Sequence, residues 1–189
     1  MDCTCTEVGC SVNDLLPAVP WSVGSDDQMM VLFGSRSFSQ FETTKENARA
    51  VIHTIDKSGL GRPSVIVSGG ADGADAAAEA VSLLLGVPMI VMHVGGPSSG
   101  TSHRQSIAQE RGIPWVVEEC TRYSGGPGPD GKAAYLARNC AMAELVSQYG
   151  GSGFGVHVDG SPGTSHMFDS LNAHGVGQFV RWPLSLADA

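Results

Sequence analysis

Apolar residues along this chain gather in short runs, and between the runs they recur at helical spacing. Residues 29–33 (MMVLF) form the first run, too short for a helix and apolar enough for a strand buried on both faces. Comparable runs stand at 65–68, 89–94, 115–118, 154–159 and 177–182. Between the first two, Ala48, Val51, Ile52 and Ile55 fall at helical spacing behind a capping Thr43 or Thr44. An alanine-rich helix is predicted from about 76 to 85, a short one to about 111, another from Lys132, and a last one over 165–173. In the helix from Lys132, Leu136, Cys140, Ala143 and Ser147 lie on one line and Ala133, Ala137 and Ala141 on the next. Alternating strands and helices predict an α/β fold with three layers, a mostly parallel sheet of about six strands covered on both faces.

The polar positions add a second regularity, because each of four predicted strands runs directly into glycine. The turns are Gly34, Gly69-Gly70, Gly95-Gly96, and Gly160 with Gly163. In a parallel sheet such turns share one rim, the edge where ligands bind. The fullest of them is 68–75 (SGGADGAD), strand on one side and helix on the other. A helix start presents N–H groups and a positive dipole end, which suits an anion such as phosphate. A plain β–α connection would need glycines as well, and the spacing matches neither the dinucleotide fingerprint nor a Walker sequence. A Gly70→Val substitution is predicted to fill the phosphate space and spare the fold, provided φ there is negative.

Composition narrows the classes. With 189 residues and 42% hydrophobic content, one sizeable core is expected, so residues 27–189 are taken as one domain. Residues 1–26, without period and interrupted by Pro17, Pro20 and Gly24, are predicted to be a flexible arm. Cys3, Cys5 and Cys10 in that arm match no paired zinc spacing, and neither a metal nor a cofactor is expected. A net charge of −8 argues against a broad nucleic-acid footprint. No apolar run approaches the roughly 20 residues of a membrane span, and no secretory signal is evident, so a cytoplasmic protein is expected. The glycine- and proline-rich stretch 121–131 is long for a loop inside a domain and is taken as functional.

Phe33-Gly34-Ser35-Arg36, then 68–75, then Gly131-Lys132-Ala133-Ala134 with Arg138-Asn139 and Met142, then Asp159-Gly160-Ser161-Pro162-Gly163-Thr164 occur in this order. Together they resemble the SLOG superfamily of Rossmann-like domains, closest to its YspA-type branch, over roughly residues 29 to 182. The superfamily includes the Lonely Guy phosphoribohydrolases and the DprA DNA-binding proteins. The resemblance implies a Rossmann-like domain that binds a nucleotide or nucleotide-derived small molecule, with Gly69 to Gly73 and Gly160 to Thr164 facing it. Three departures are plain. Tyr135-Leu136-Ala137 replaces the branch's Gly-Pro, His166 and Met167 replace the catalytic Glu of the Lonely Guy enzymes, and 95–130 does not follow the branch.

The ligand-binding set implied is Gly34, Ser35, Arg36, Ser68, Gly69, Gly70, Asp72, Gly73, Asp75, Lys132, Arg138, Asn139, Gly160, Gly163 and Thr164. Arg36 and Arg138 suit bidentate pairing with phosphate. Asp72 and Asp75 serve as helix-start carboxylates, or Asp75 as acceptor for a ribose hydroxyl. Lys132 is either solvated or a phosphate contact. Gly-Thr-Ser-His occurs at 100–103 and again at 163–166, which raises His103 and His166 as acid–base groups. Two functions follow. A binding module, acting as sensor, carrier or sequestering protein, is placed ahead of an N-glycosidase acting on a nucleoside 5′-monophosphate. In the latter Arg138, His166 and Asp169 would be catalytic, with Asp169 standing in for the missing Glu. Single-stranded nucleic acid comes third. A homo-oligomer is compatible with the sequence, which selects no oligomeric state.

Overall fold

Side chains of the first strand, β1 (Met29–Gly34), divide between two cores: Met29, Val31 and Phe33 join one, Met30 and Leu32 the other, and all five are buried. A strand apolar on both faces needs cover on both, and the fold supplies it. The computed structural model describes residues 27–120, 132–158 and 160–184, side chains at 132 and 133 excepted. The predicted arm with its cysteines, the loop 121–131 and Asp159 lie outside the described residues.

The remaining strands are β2 (Val65–Ser68), β3 (Met89–His93), β4 (Trp115–Glu119), β5 (Ser152–Val158) and β6 (Phe179–Leu184). The sheet order is β4-β3-β2-β1-β5-β6, and every neighbouring pair is parallel. The helices are α1 (Thr44–Ser58), α2 (Ala74–Leu85), α3 (Ser99–Glu110), α4 (Lys132–Gln148) and α5 (Pro162–Ala173). On one face α1 and α2 bury Ala48, Val51, Ile55, Ala77 and Val81 against the sheet, and α3 packs on α2. On the other, α4 and α5 bury Met142, Leu145, Val146, Met167 and Leu171. Each of the larger of these side chains contributes about 1.5–3 kcal/mol by leaving water, the alanines less. Phe33 and Phe168 meet edge to face, centroids 4.8 Å apart, and join β1 to α5. This is the Rossmann-like, three-layer α/β architecture. Its sheet runs outward from β1 to β4, then returns through α4 to lay β5 on the free side of β1.

That return makes the β1–β5 boundary the switch point in strand order, the place where open α/β sheets hold ligands. Because all six strands are parallel, the turns at Gly34, Gly69, Gly95 and Gly160 do share one rim.

Local chemistry explains most boundaries. Thr43 caps α1 in a reciprocal box with Glu46, and Gly59 ends it in the left-handed conformation. Several boundaries or faces differ from the predicted ones. A 3-10 helix, Arg36–Gln40, follows β1, anchored by buried Phe38, whose carbonyl accepts from Asn47 Nδ2 at 2.8 Å. Helix α5 begins at Pro162, not 165, since proline at a first helical position loses no hydrogen bond. Strand β6 continues through Pro183, which an edge strand tolerates. In α4 the buried side is Ala134, Ala137, Ala141, Met142 and Leu145, while Leu136 and Cys140 are only half-buried. Its alanines let the helix lie close on the strands it crosses. Among the described residues, no helix is long and apolar enough to cross a membrane.

Candidate functional site

At the switch point the rim opens into a cavity of about 670 Å³, lined from β1 by Gly34, Ser35 and Arg36, from α4 by Arg138 and Asn139, and from the start of α5 by 160–164. Asp75 forms part of its floor. Beside it lies a second cavity of about 230 Å³, bordered by Gly69, Gly70, Asp72, His93, Gly96 and Ser98. Arg36, Ala71, Tyr135 and Arg138 border both. The ligand set expected as one site is therefore divided. Gly69, Gly70 and Asp72 belong to the smaller space, and Gly34, Ser35, Arg36, Asp75, Arg138, Asn139, Gly160, Gly163 and Thr164 to the larger.

The wall between the cavities is built of charge and one ring. Tyr135, which stands where the resembled branch has Gly-Pro, carries the Arg36 guanidinium 5.4 Å and the Arg138 guanidinium 5.5 Å from its ring centroid. Arg138 donates through Nη1 to the Gly69 carbonyl at 2.8 Å and through Nη2 to Asn139 Oδ1 at 3.2 Å, while Nε is buried without a hydrogen-bond partner. A Cβ on Gly69 would lie 2.5 Å from that guanidinium carbon and would displace the end of the Arg138 side chain. Asp75, 4% exposed, accepts from the Ala71 N–H at 3.2 Å. Burial pushes its pKa above the ordinary carboxylate range, and the nearby charges of Arg138 and Arg36 oppose that rise. Ser68 Oγ is buried beside the same carboxyl without a well-formed hydrogen bond.

At the α5 side, Asn139 donates through Nδ2 to the Gly163 carbonyl at 3.2 Å and so ties the Arg138 helix to the start of α5. Ser161, at the N-cap, makes no side-chain cap; its Oγ meets Thr164 Oγ1 at 2.7 Å instead. Among the described residues, nothing accepts from the N–H groups of Gly163 and Thr164, and α5 has no acidic residue in its first turn. Among the described residues, this helix start thus has donors without acceptors where it borders the larger cavity.

Several expectations change. Asp169 is exposed on α5 and lines neither cavity, because Met167 and Phe168 take the sheet-facing side of that turn. His166 also lines neither. It stands behind Asn139, with Nδ1 3.4 Å from Asn139 Nδ2 and 3.4 Å from Ser170 Oγ, and burial lowers its pKa. Gly70 has φ +66°, and a Cβ there would meet Val91 Cγ1 at 2.7 Å. The condition attached to Gly70→Val thus fails, and that substitution would strain the turn itself. Gly73 (φ +76°) is packed against the Ser35 and Arg36 backbone and borders neither cavity. Lys132 begins α4, with its side chain outside the described set.

The repeated Gly-Thr-Ser-His proves to be a helix start used twice. Each copy begins at the second residue of its helix, behind a serine N-cap, with Ser98 Oγ 2.9 Å from Thr101 Oγ1 in α3 and Ser161 Oγ 2.7 Å from Thr164 Oγ1 in α5. His103 is exposed on α3 and lines neither cavity. Thr101 donates to Glu79 Oε1 at 2.7 Å, and Arg104 pairs with Glu79 Oε2 at 2.5 Å, so this copy locks α3 onto α2.

Among the residues of the site that escaped the sequence reading are Tyr135 and His93. The signal for His93 was present: it ends a strand just before a glycine turn, as Ser68 does. Its Nδ1 accepts from the Gly96 N–H at 3.2 Å, and burial lowers its pKa against the opposing charge of Glu119. Among the described residues, no cluster of three or more His, Cys, Asp or Glu could hold a metal ion.

Fold and rim define a Rossmann-like α/β protein with a ligand-sized cleft of mixed polar and apolar lining at its switch point. No protein-family model matches the sequence, and no curated protein matches it. Among solved structures, it is similar to the X-ray structure of DNA processing protein A (DprA) from Streptococcus pneumoniae, at 24% identity with a TM-score of 0.42. The match covers 82% of this chain, which spans 58% of the length of that one.

Proposed function

We propose that this protein binds a nucleotide or nucleotide-derived small molecule in the larger cavity, as a SLOG-type sensor, carrier or sequestering protein of the YspA-like branch. The observation that carries this reading is the convergence of an uncapped helix start with two guanidiniums at the switch point. A 5′-phosphate placed on the N–H groups of Gly163 and Thr164 is within the reach of Arg36 and Arg138, and Asn139 holds the two sides in register. Asp75, on the floor, is the acceptor for a ribose hydroxyl.

A second reading, cleavage of the N-glycosidic bond of a nucleoside 5′-monophosphate, draws on one observation. Asp75 is the carboxylate among the described residues that line the larger cavity. In that reading Asp75, not Asp169, would stabilise positive charge developing on the ribose. Single-stranded nucleic acid is disfavoured by the net charge of −8.

Calorimetry with the common nucleoside 5′-monophosphates tests the first reading. Arg138→Ala is expected to weaken binding by roughly 1.5–3 kcal/mol, as for hydrogen bonds to a charged group. Unchanged affinity in that variant, or no binding of any monophosphate by the wild type, would overturn it. Chromatography for free base tests the second: base released by the wild type and lost in Asp75→Asn would establish turnover. Titration with a single-stranded oligonucleotide covers the third.

A further inference from the structure

The smaller cavity has no part in the nucleoside monophosphate site proposed above, yet it is built as an extension of it. Its volume, about 230 Å³, is below the range of roughly 300–1,000 Å³ of whole small-molecule sites, whereas the larger cavity at about 670 Å³ lies within it. It is sized for a fragment of a ligand. Both spaces border Arg36 and Arg138, so a molecule occupying both must pass the two guanidiniums at the wall. Among the described residues, those two positive charges face one buried carboxyl, Asp75, and an anion at the wall would balance the excess.

The far side of the smaller cavity has its own donor. His93 is 7% exposed, and acceptance by Nδ1 from the Gly96 N–H puts the ring proton on Nε2. A neutral imidazole with Nε2–H offers an oxygen one hydrogen bond. Next to it Gly95 and Gly96 are exposed, and a Cβ built on either would meet nothing within 4 Å, so the turn leaves open space above it. Asp72 stands exposed at the border, where water screens it.

We propose that the smaller cavity receives the second phosphoryl group of a nucleoside 5′-diphosphate or diphosphate ester. The bridging oxygen then lies at the wall of Arg36, Tyr135 and Arg138, and His93 Nε2–H donates to the distal phosphoryl. This inference rests on the nucleotide reading of the larger cavity.

The test is a paired titration of the full chain with the four common ribonucleoside 5′-monophosphates and their 5′-diphosphates, without divalent cations. For the base that binds, the diphosphate is expected to bind about tenfold or more tightly than the monophosphate, and His93→Ala should bring the ratio to within about twofold. His93→Gln, whose amide N–H stands near the Nε2 position, should retain part of the preference and guards against a misfolded alanine variant. Equal binding of mono- and diphosphate by the wild type would overturn this inference and leave the monophosphate site standing. An equal loss of both ligands in His93→Gln, with an unchanged melting temperature, would overturn it too. Binding of neither ligand would remove the nucleotide reading and this inference together.

Discussion

Helices α2 and α5 start in the same way and end up with opposite duties. Each follows a buried parallel strand and a glycine turn, and neither has a side-chain cap at its first residue. At α2 the protein fills the space with its own atoms. Ala74 N–H donates to the Ser35 carbonyl at 3.1 Å, Asp75 sits in the first turn, and a Cβ on Gly73 would stand 2.4 Å from the Arg36 carbonyl oxygen. At α5 the first turn has no carboxylate, Gly163 has nothing within 4 Å of a Cβ, and Gly163 and Thr164 line the larger cavity. At Gly73 the richer glycine motif is therefore packed by the protein's own atoms, whereas the plainer motif at Gly163 borders open space. Glycine marks where backbone must come close. Whether the visitor is the protein itself or a ligand depends on the neighbouring element.

If α2 is architecture, its glycine should be the most sensitive position. Gly73→Ala adds a left-handed residue, roughly 1–3 kcal/mol, to overpacking of about 1–3 kcal/mol. Denaturant unfolding should show a loss of about 2–6 kcal/mol, and a loss below about 1 kcal/mol would break the comparison. Next in size is Arg104→Ala, which strands the fully buried Glu79 of α2 without its ion-pair partner. The expected cost is about 3–5 kcal/mol, with monophosphate affinity retained, since Arg104 borders neither cavity.

A subtler effect concerns Asp75, the carboxyl that belongs to both regions. Its pKa is raised by burial, so between about pH 4 and that raised value the folded chain holds a proton that the unfolded chain has released. Stability contributed by this group therefore falls as pH rises through the window. Relative to wild type, Asp75→Asn should gain stability as pH rises from about 4, read from urea midpoints at several pH values. A difference independent of pH would show that the carboxyl titrates alike in both states. The smallest effect is expected at the open end. Gly163→Ala should change stability by no more than about 0.5 kcal/mol, and a larger loss would mean that α5 is packed as α2 is.

How much of this was legible beforehand differs between fold and site. The strands at 29–34, 65–68 and 89–93 were readable because parallel strands buried on both faces are nearly continuous apolar runs. The shared rim followed from strand–helix alternation alone. Boundaries that depend on long-range packing were not readable. The 3-10 helix holds because Phe38 reaches the core and Asn47, nine residues on, bonds its carbonyl. Likewise, the two copies of Gly-Thr-Ser-His are identical in sequence, yet one bonds Glu79 on α2 and the other opens onto the cleft.

The sequence by itself determined the α/β order, the parallel sheet and the presence of glycine turns and arginines at its rim, because these rest on local period and backbone freedom. Tertiary structure alone decided the order β4-β3-β2-β1-β5-β6 and hence the switch point. It alone brought Tyr135 between Arg36 and Arg138, turned Asp169 outward and buried Asp75 beneath the cleft. Side-chain direction and burial at these positions are set by elements far away in the chain, and no local pattern encodes the distance between them.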